Sequence, residues 1–128
     1  MRISVMGTGP FAVPMLEAIL VAGHDVPVVV TRPLPPARGR KQPPANPLRE
    51  AANQHGLKLL DPADVNAADV VAELADLQAD LLVVCDFGQI LSPTALGVTP
   101  LGGINLHGSL LPKYRGAAPV QWAIINGD

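Results

Sequence analysis

The sequence is poor in aromatic residues, holds one cysteine and carries little net charge. Each shortage excludes something. Phe, Trp and Tyr together make up 3% of its 128 residues. A surface that stacks the successive bases of a single-stranded nucleic acid needs more rings than that. The single cysteine, Cys85, cannot form an internal disulfide, so a reducing, cytoplasmic setting is expected. Nine Lys and Arg against eleven Asp and Glu leave a net charge of −2, which argues against a body coated in positive charge. No run approaches the roughly eighteen apolar residues of a spanning helix, and no membrane association is expected. The N-terminus, Met1-Arg2-Ile3-Ser4-Val5-Met6-Gly7, shows no small-residue cleavage site, so no signal peptide is expected. The spacings of Cys85, His24, His55 and His107 fit no zinc pattern, and no metal site is expected.

What is present is a chain able to bury a core, with 48% apolar residues in a length that suits one domain. Short continuous apolar runs alternate with helical patterns. Ile3–Met6, Val26–Thr31, Lys58–Leu60, Leu81–Cys85 and Gly103–His107 read as strands. Phe11–Ala22 carries Phe11, Leu16, Ile19 and Leu20 at helical spacing, and Gly23 stops it. Asn46-Pro47 is a cap followed by a first-turn proline, opening a helix that Gly56 closes. Ala67–Gln78 and Pro119–Asn126 read as further helices, and Ser92-Pro93 starts a short helical turn. This alternation predicts an α/β fold, Rossmann-like and doubly wound on a mainly parallel sheet.

Three places can carry chemistry. Gly7-Thr8-Gly9-Pro10-Phe11-Ala12 follows a strand, opens a helix and matches the dinucleotide fingerprint. The second strand, however, ends in Thr31-Arg32 and not in the acid that holds a ribose. Pro10 also removes one backbone donor from the turn. A tight glycine turn is the favoured reading, with an NAD(P)-binding module as an alternative, since Arg32 suits a 2′-phosphate. Arg32–Arg49 reads as a loop with six prolines, five of the nine basic residues and no acid, and the second place is its first part, Arg32–Lys41, with four positive charges in ten residues. Such a stiff positive loop on a net-acidic body suits contacts to phosphate. The third is Asn105–Pro119. Residues two apart on a strand share a face, so Asn105 and His107 are expected to point together at a strand's carboxyl end. An amide donor beside an imidazole provides an oxyanion stabiliser and a proton carrier, which suits attack on a carbonyl. His24 and His55 each sit beside a helix-ending glycine, where a helix C-terminal contact is expected. Cys85 is expected to be a buried, inert thiol.

The run Asn105–Pro112 (NLHGSLLP) continued by Lys113–Gln121 (KYRGAAPVQ) resembles the signature of the folate-dependent formyltransferases. Met6-Gly7-Thr8 with Phe11–Pro14, the Arg38–Lys41 loop and Phe87–Leu91 match in the same order along the chain. The resemblance spans essentially all 128 residues and is greatest to the members that act on initiator tRNA. It implies transfer of a formyl group from 10-formyltetrahydrofolate to the amino group of methionyl-initiator tRNA. Asn105 would polarise the formyl oxygen and His107 would act in proton transfer. Ser109, Leu110, Leu111 and Pro112 would border the folate site, and Gln89, Ile90 and Leu91 would line its pterin pocket, partly through backbone groups. Arg38, Arg40 and Lys41 would contact tRNA. A sugar-nucleotide amine is the alternative acceptor. Relative to the family pattern, Gly9-Pro10 stands in place of Pro-Asp, and Asp86-Phe87 in place of Ala-Tyr. The family's third catalytic residue, an Asp, and its C-terminal tRNA-binding barrel have no counterpart in residues 1–128. The resemblance therefore implies an N-terminal part of the catalytic domain, inactive or nearly so by itself.

Overall fold

A computed structural model describes residues 1–36, 39 and 42–128. Five strands form one all-parallel sheet: β1 (Ile3–Gly7), β2 (Val29–Val30), β3 (Leu59–Leu60), β4 (Leu81–Cys85) and β5 (Gly103–Asn105). The spatial order is β3-β2-β1-β4-β5. The chain steps outward from β1 to β3 and then crosses back to place β4 beside β1. The order therefore reverses between β1 and β4, which creates a crevice at their carboxyl ends. In register, Gly7 lies beside Cys85 there.

β1, β2 and β4 are nearly all apolar because helices cover both faces there, whereas β5 is exposed throughout. The period-2 alternation of a strand divides their side chains. Ile3, Val5, Val29, Val83 and Cys85 point into one core, with Ala12, Met15 and Leu16 of α1 (Ala12–Val21) and Leu48, Ala51 and Ala52 of α2 (Pro47–Gln54). Met6, Val28, Val30 and Leu82 point the other way, against Val65, Phe87 and Leu74 of α3 (Ala68–Asp76). Leu96 of the short α4 (Pro93–Leu96) joins that second core. The last helix, α5 (Pro119–Ile125), has no buried residue.

Local chemistry explains most boundaries. Asn46 caps α2 by accepting from Arg49 N at 3.0 Å, and Ser92 caps α4 by accepting from Ala95 N at 3.1 Å. Gly23 takes a φ of +83°, ending α1 as its sequence position suggests. The second strand is shorter than Val26–Thr31. Pro27 offers no N–H, so paired residues reduce to Val29 and Val30, although Val28 O and Thr31 N still bond to β1 and β3. β5 ends at Asn105, two residues earlier than its apolar run implies. Among the described residues, no helix is long and apolar enough to cross a membrane.

Candidate active site

Three loops meet the carboxyl rim of the sheet: Thr8–Phe11 after β1, Asp86–Leu91 after β4, and Leu106–Ala118 after β5. Gly7 at the end of β1 and Gly9 in the first loop are sites of close approach. A Cβ on Gly7 would meet Cys85 O of the adjacent strand, Ala12 Cβ and Leu48 Cδ2. A Cβ on Gly9 would overlap the carboxylate of Asp86. Asp86 has a φ of +50° and is exposed. A diphosphate cradled by this turn would lie against that carboxylate and be repelled. Thr31, at the position where a dinucleotide fold has its ribose-binding acid, is buried and accepts from Asn46 Nδ2 at 2.9 Å. The tight-turn reading of the fingerprint is the one the geometry supports.

The second loop is held from below. Gln89 Oε1 accepts from Val65 N at 2.8 Å, and Gln89 Nε2 donates to Pro62 O at 3.1 Å. Asn66 Nδ2 donates to Ile90 O and its Oδ1 accepts from Ser92 N, both at 2.8 Å. The Gln89 side chain is thus turned into the β3–α3 connection, leaving backbone as its means of facing a ligand. Ile90 is 89% exposed, and Leu91 packs against the second core. The Arg32 guanidinium lies over Gly88, which takes a φ of +85°.

The third loop builds a cavity of about 580 Å³ with α5 and Phe11. Its walls are Phe11, His107, Gly108, Ser109, Leu110, Lys113, Tyr114, Val120, Ala123 and Asp128. His107 Nδ1 lies 2.9 Å from Ser109 Oγ, and Ser109 Oγ donates to Lys113 O at 2.7 Å. Lys113 Nζ at 3.1 Å and Tyr114 Oη at 2.6 Å donate to Asp128 Oδ2, tying the loop to the end of α5. The Tyr114 hydroxyl, and then Lys113, pull the Asp128 carboxyl below its ordinary value. The same carboxylate pushes Lys113 and Tyr114 up.

The expected site residues divide accordingly. His107, Ser109 and Leu110 come together in the cavity. Asn105, Leu111, Pro112, Gln89, Ile90 and Leu91 are not among its walls. The expected strand Gly103–His107 is corrected in extent: β5 ends at Asn105, and His107 lies just past it. Leu106 N still bonds to Val84 O at 2.8 Å, and a Cβ on Gly108 would meet Val120 Cγ2 at 2.9 Å and Pro119 Cγ at 3.2 Å. Arg38, Arg40 and Lys41 lie outside the described residues. At the helix C-termini, His24 N donates to Ile19 O at 3.3 Å and His55 N to Ala51 O at 3.1 Å, while the His24 ring bonds to the N-terminal ammonium at 3.0 Å and the His55 ring pairs with Glu17 at 2.7 Å. Cys85 is fully buried, and burial, then the Asp86 charge, push its thiol up. Of the other wall residues, Phe11, Lys113, Tyr114 and Val120 lie within the quoted motifs but had no role assigned to them, and Ala123 and Asp128 lie outside those motifs.

The parallel-sheet fold is shared with known proteins, and the chain belongs to the formyl transferase family, whose model matches residues 1–128. It is 56% identical over 132 residues to a methionyl-tRNA formyltransferase of Rhodopirellula baltica, covering all of this chain and 39% of that protein. It is 48% identical over 128 residues to a methionyl-tRNA formyltransferase of Ruminiclostridium cellulolyticum, covering 41% of it. The chain therefore spans about 40% of the length of these curated relatives. Among solved structures, phosphoribosylglycinamide formyltransferase of Bacillus halodurans superposes with a TM-score of 0.75 at 20% identity, over 100% of this chain and 66% of that one. A sugar N-formyltransferase of Shewanella superposes with a TM-score of 0.62 at 18% identity, over 100% of this chain and 47% of that one. These two likenesses are of fold.

Proposed function

We propose that the chain is the N-terminal part of the catalytic domain of an enzyme that moves a formyl group from 10-formyltetrahydrofolate to the amino group of methionyl-initiator tRNA. The observation that carries this reading is His107 in an open rim cavity with its Nδ1 held by Ser109. The sequence identity to named methionyl-tRNA formyltransferases favours tRNA over a sugar-nucleotide acceptor, whose representative is alike in fold only. The remaining catalytic Asp and a tRNA-binding barrel would belong to the part of the relatives that this chain does not cover.

In this reading the acceptor nitrogen bonds to the formyl carbon, and the bond from that carbon to the carrier nitrogen breaks. The proton lost by the acceptor nitrogen ends on the carrier nitrogen. His107 is the group of this chain that takes and returns that proton. Asn105 donates its amide N–H to the formyl oxygen as negative charge grows there, a role in which one preorganised donor contributes about 3–4 kcal/mol. The rim of the sheet supplies the site: Ser109, Leu110, Leu111 and Pro112 would border the folate, and Gln89, Ile90 and Leu91 would line its pterin pocket, partly through backbone groups. Arg38, Arg40 and Lys41 meet the phosphates of the acceptor stem, where a positive loop on a net-negative body suits a polyanion held at one end.

The test is His107→Asn in the full-length protein, with formyl transfer to methionyl-tRNA as readout. A loss of about 10²–10⁴-fold in rate is expected, with donor binding retained. Transfer at the parent rate would refute the assignment.

A further inference from the structure

We infer that Ser109 is a positioning residue that fixes the tautomer of His107, so that Nε2 is the ring's basic atom. The inference rests on the reading of His107 as the proton carrier, and it adds where on the ring that proton is taken.

Ser109 Oγ sits between two partners, Lys113 O at 2.7 Å and His107 Nδ1 at 2.9 Å. A hydroxyl has one proton, and a carbonyl oxygen can only accept. Two oxygens 2.7 Å apart need a proton between them, so the hydroxyl proton is committed to Lys113 O. Ser109 Oγ then meets His107 as an acceptor alone. The bond to Nδ1 consequently requires an N–H at Nδ1. A neutral imidazole carries one ring proton, so Nε2 is left with its lone pair.

The carbonyl that makes this choice is itself held. Lys113 N donates to Leu110 O at 3.1 Å, closing a turn. Tyr114 takes a φ of +53°, and both Lys113 and Tyr114 bond to Asp128 beyond α5. The fold thus fixes the carbonyl, the carbonyl fixes the hydroxyl rotor, and the hydroxyl fixes the imidazole. When Nε2 takes a proton, the Nδ1–H bond to Ser109 becomes charge-assisted and strengthens. The proton enters and leaves at Nε2. Ser109 and Lys113 exchange none.

The experiment reads the tautomer without turnover. Full-length protein labelled with ¹⁵N-histidine is examined by two-bond ¹H–¹⁵N correlation at a pH where the ring is neutral. The parent protein is expected to show His107 with its proton on Nδ1. Ser109→Ala is expected to lose that bias, and Ser109→Thr, which keeps the hydroxyl, to retain it. In formyl transfer, Ser109→Ala is expected to lower kcat by about 10–100-fold, a fraction of what a wrong tautomer costs where a carboxylate sets it. KM for both substrates should stay within about threefold, and Ser109→Thr should recover most of the rate. A proton on Nε2 in the parent protein would overturn the inference, and so would an unchanged tautomer in Ser109→Ala. A shifted tautomer with unchanged kcat would remove the positioning role. Should Ser109→Ala fail to fold, the parent and Ser109→Thr spectra still decide the tautomer. If His107→Asn left transfer intact, the catalytic reading would fall separately, because the tautomer does not depend on turnover.

Discussion

Replacing Gly7 by Ala tests the packing that brings β1, β4 and α1 together under the rim. The added Cβ would lie 2.9 Å from Ala12 Cβ and 3.0 Å from Leu48 Cδ2, and closer still to Cys85 O. Carbon atoms rest at about 3.5–4.0 Å from one another, so each contact is short by roughly 0.5–1 Å. One partner is backbone in a paired strand, and the other two are fully buried. None can retreat without opening β1 from β4 or lifting a helix. Overpacking of this kind costs about 1–3 kcal/mol, and a backbone partner places Gly7→Ala near 3 kcal/mol. That is a large share of a total stability of about 5–15 kcal/mol. At about 4 °C per kcal/mol for a domain of this size, the midpoint should fall by about 12 °C. Gly23→Ala is the internal control. Gly23 has a φ of +83° and nothing within 4 Å of a Cβ, so only the left-handed conformation is penalised, at about 1 kcal/mol. Urea unfolding followed by circular dichroism should show Gly7→Ala exceeding Gly23→Ala by about 2 kcal/mol with unchanged m. A Gly7→Ala protein within about 0.5 kcal/mol of the parent would refute the close-approach argument.

Two further outcomes follow from the titrating groups. The Asp128 carboxyl is lowered from its ordinary 3.8 by Tyr114 and then Lys113, so its bonds are intact above that value and are lost as pH falls through the lowered one. Tyr114 and Lys113 are raised from 10.0 and 10.5, so the same contacts fail at the other end as pH rises through their raised values. Tyr114→Phe should move the Asp128 titration, followed by its carboxyl ¹³C shift, back toward the ordinary value; no movement would refute the hydrogen bond. Cys85 is buried and its thiol is pushed up, so a disulfide reagent should label native protein at least about a hundredfold more slowly than unfolded protein. Equal rates would refute its burial.

The architecture was legible because continuous runs such as the β-branched Val26–Thr31 and the apolar Leu81–Cys85 read as parallel strands covered on both faces. The caps at Asn46 and Ser92 were legible because the capping side chain and its target lie three residues apart. His107, which stands in the wall of the rim cavity, was legible as a residue at a strand's carboxyl end. The cavity around it was not. Tyr114 and Asp128 are fourteen residues apart, and nothing in either residue announces the other. The left-handed backbone at Tyr114 and Ala118, which shapes the loop, carries no glycine to mark it. Gln89 was legible as a residue of the second loop, yet its amide is spent on Val65 and Pro62, partners set by the β3–α3 path. Asp86 fills the space above the first turn, where a Cβ on Gly9 would overlap its carboxylate.

The brackets that Gln89 and Asn66 place on the Gly88–Ser92 backbone bear on how fast a small molecule could dock there. That stretch surrenders its conformational freedom when the chain folds, so an arriving molecule has no disordered loop to organise. Capture at this rim should accordingly follow a single concentration-dependent phase, with no slow isomerisation after the encounter.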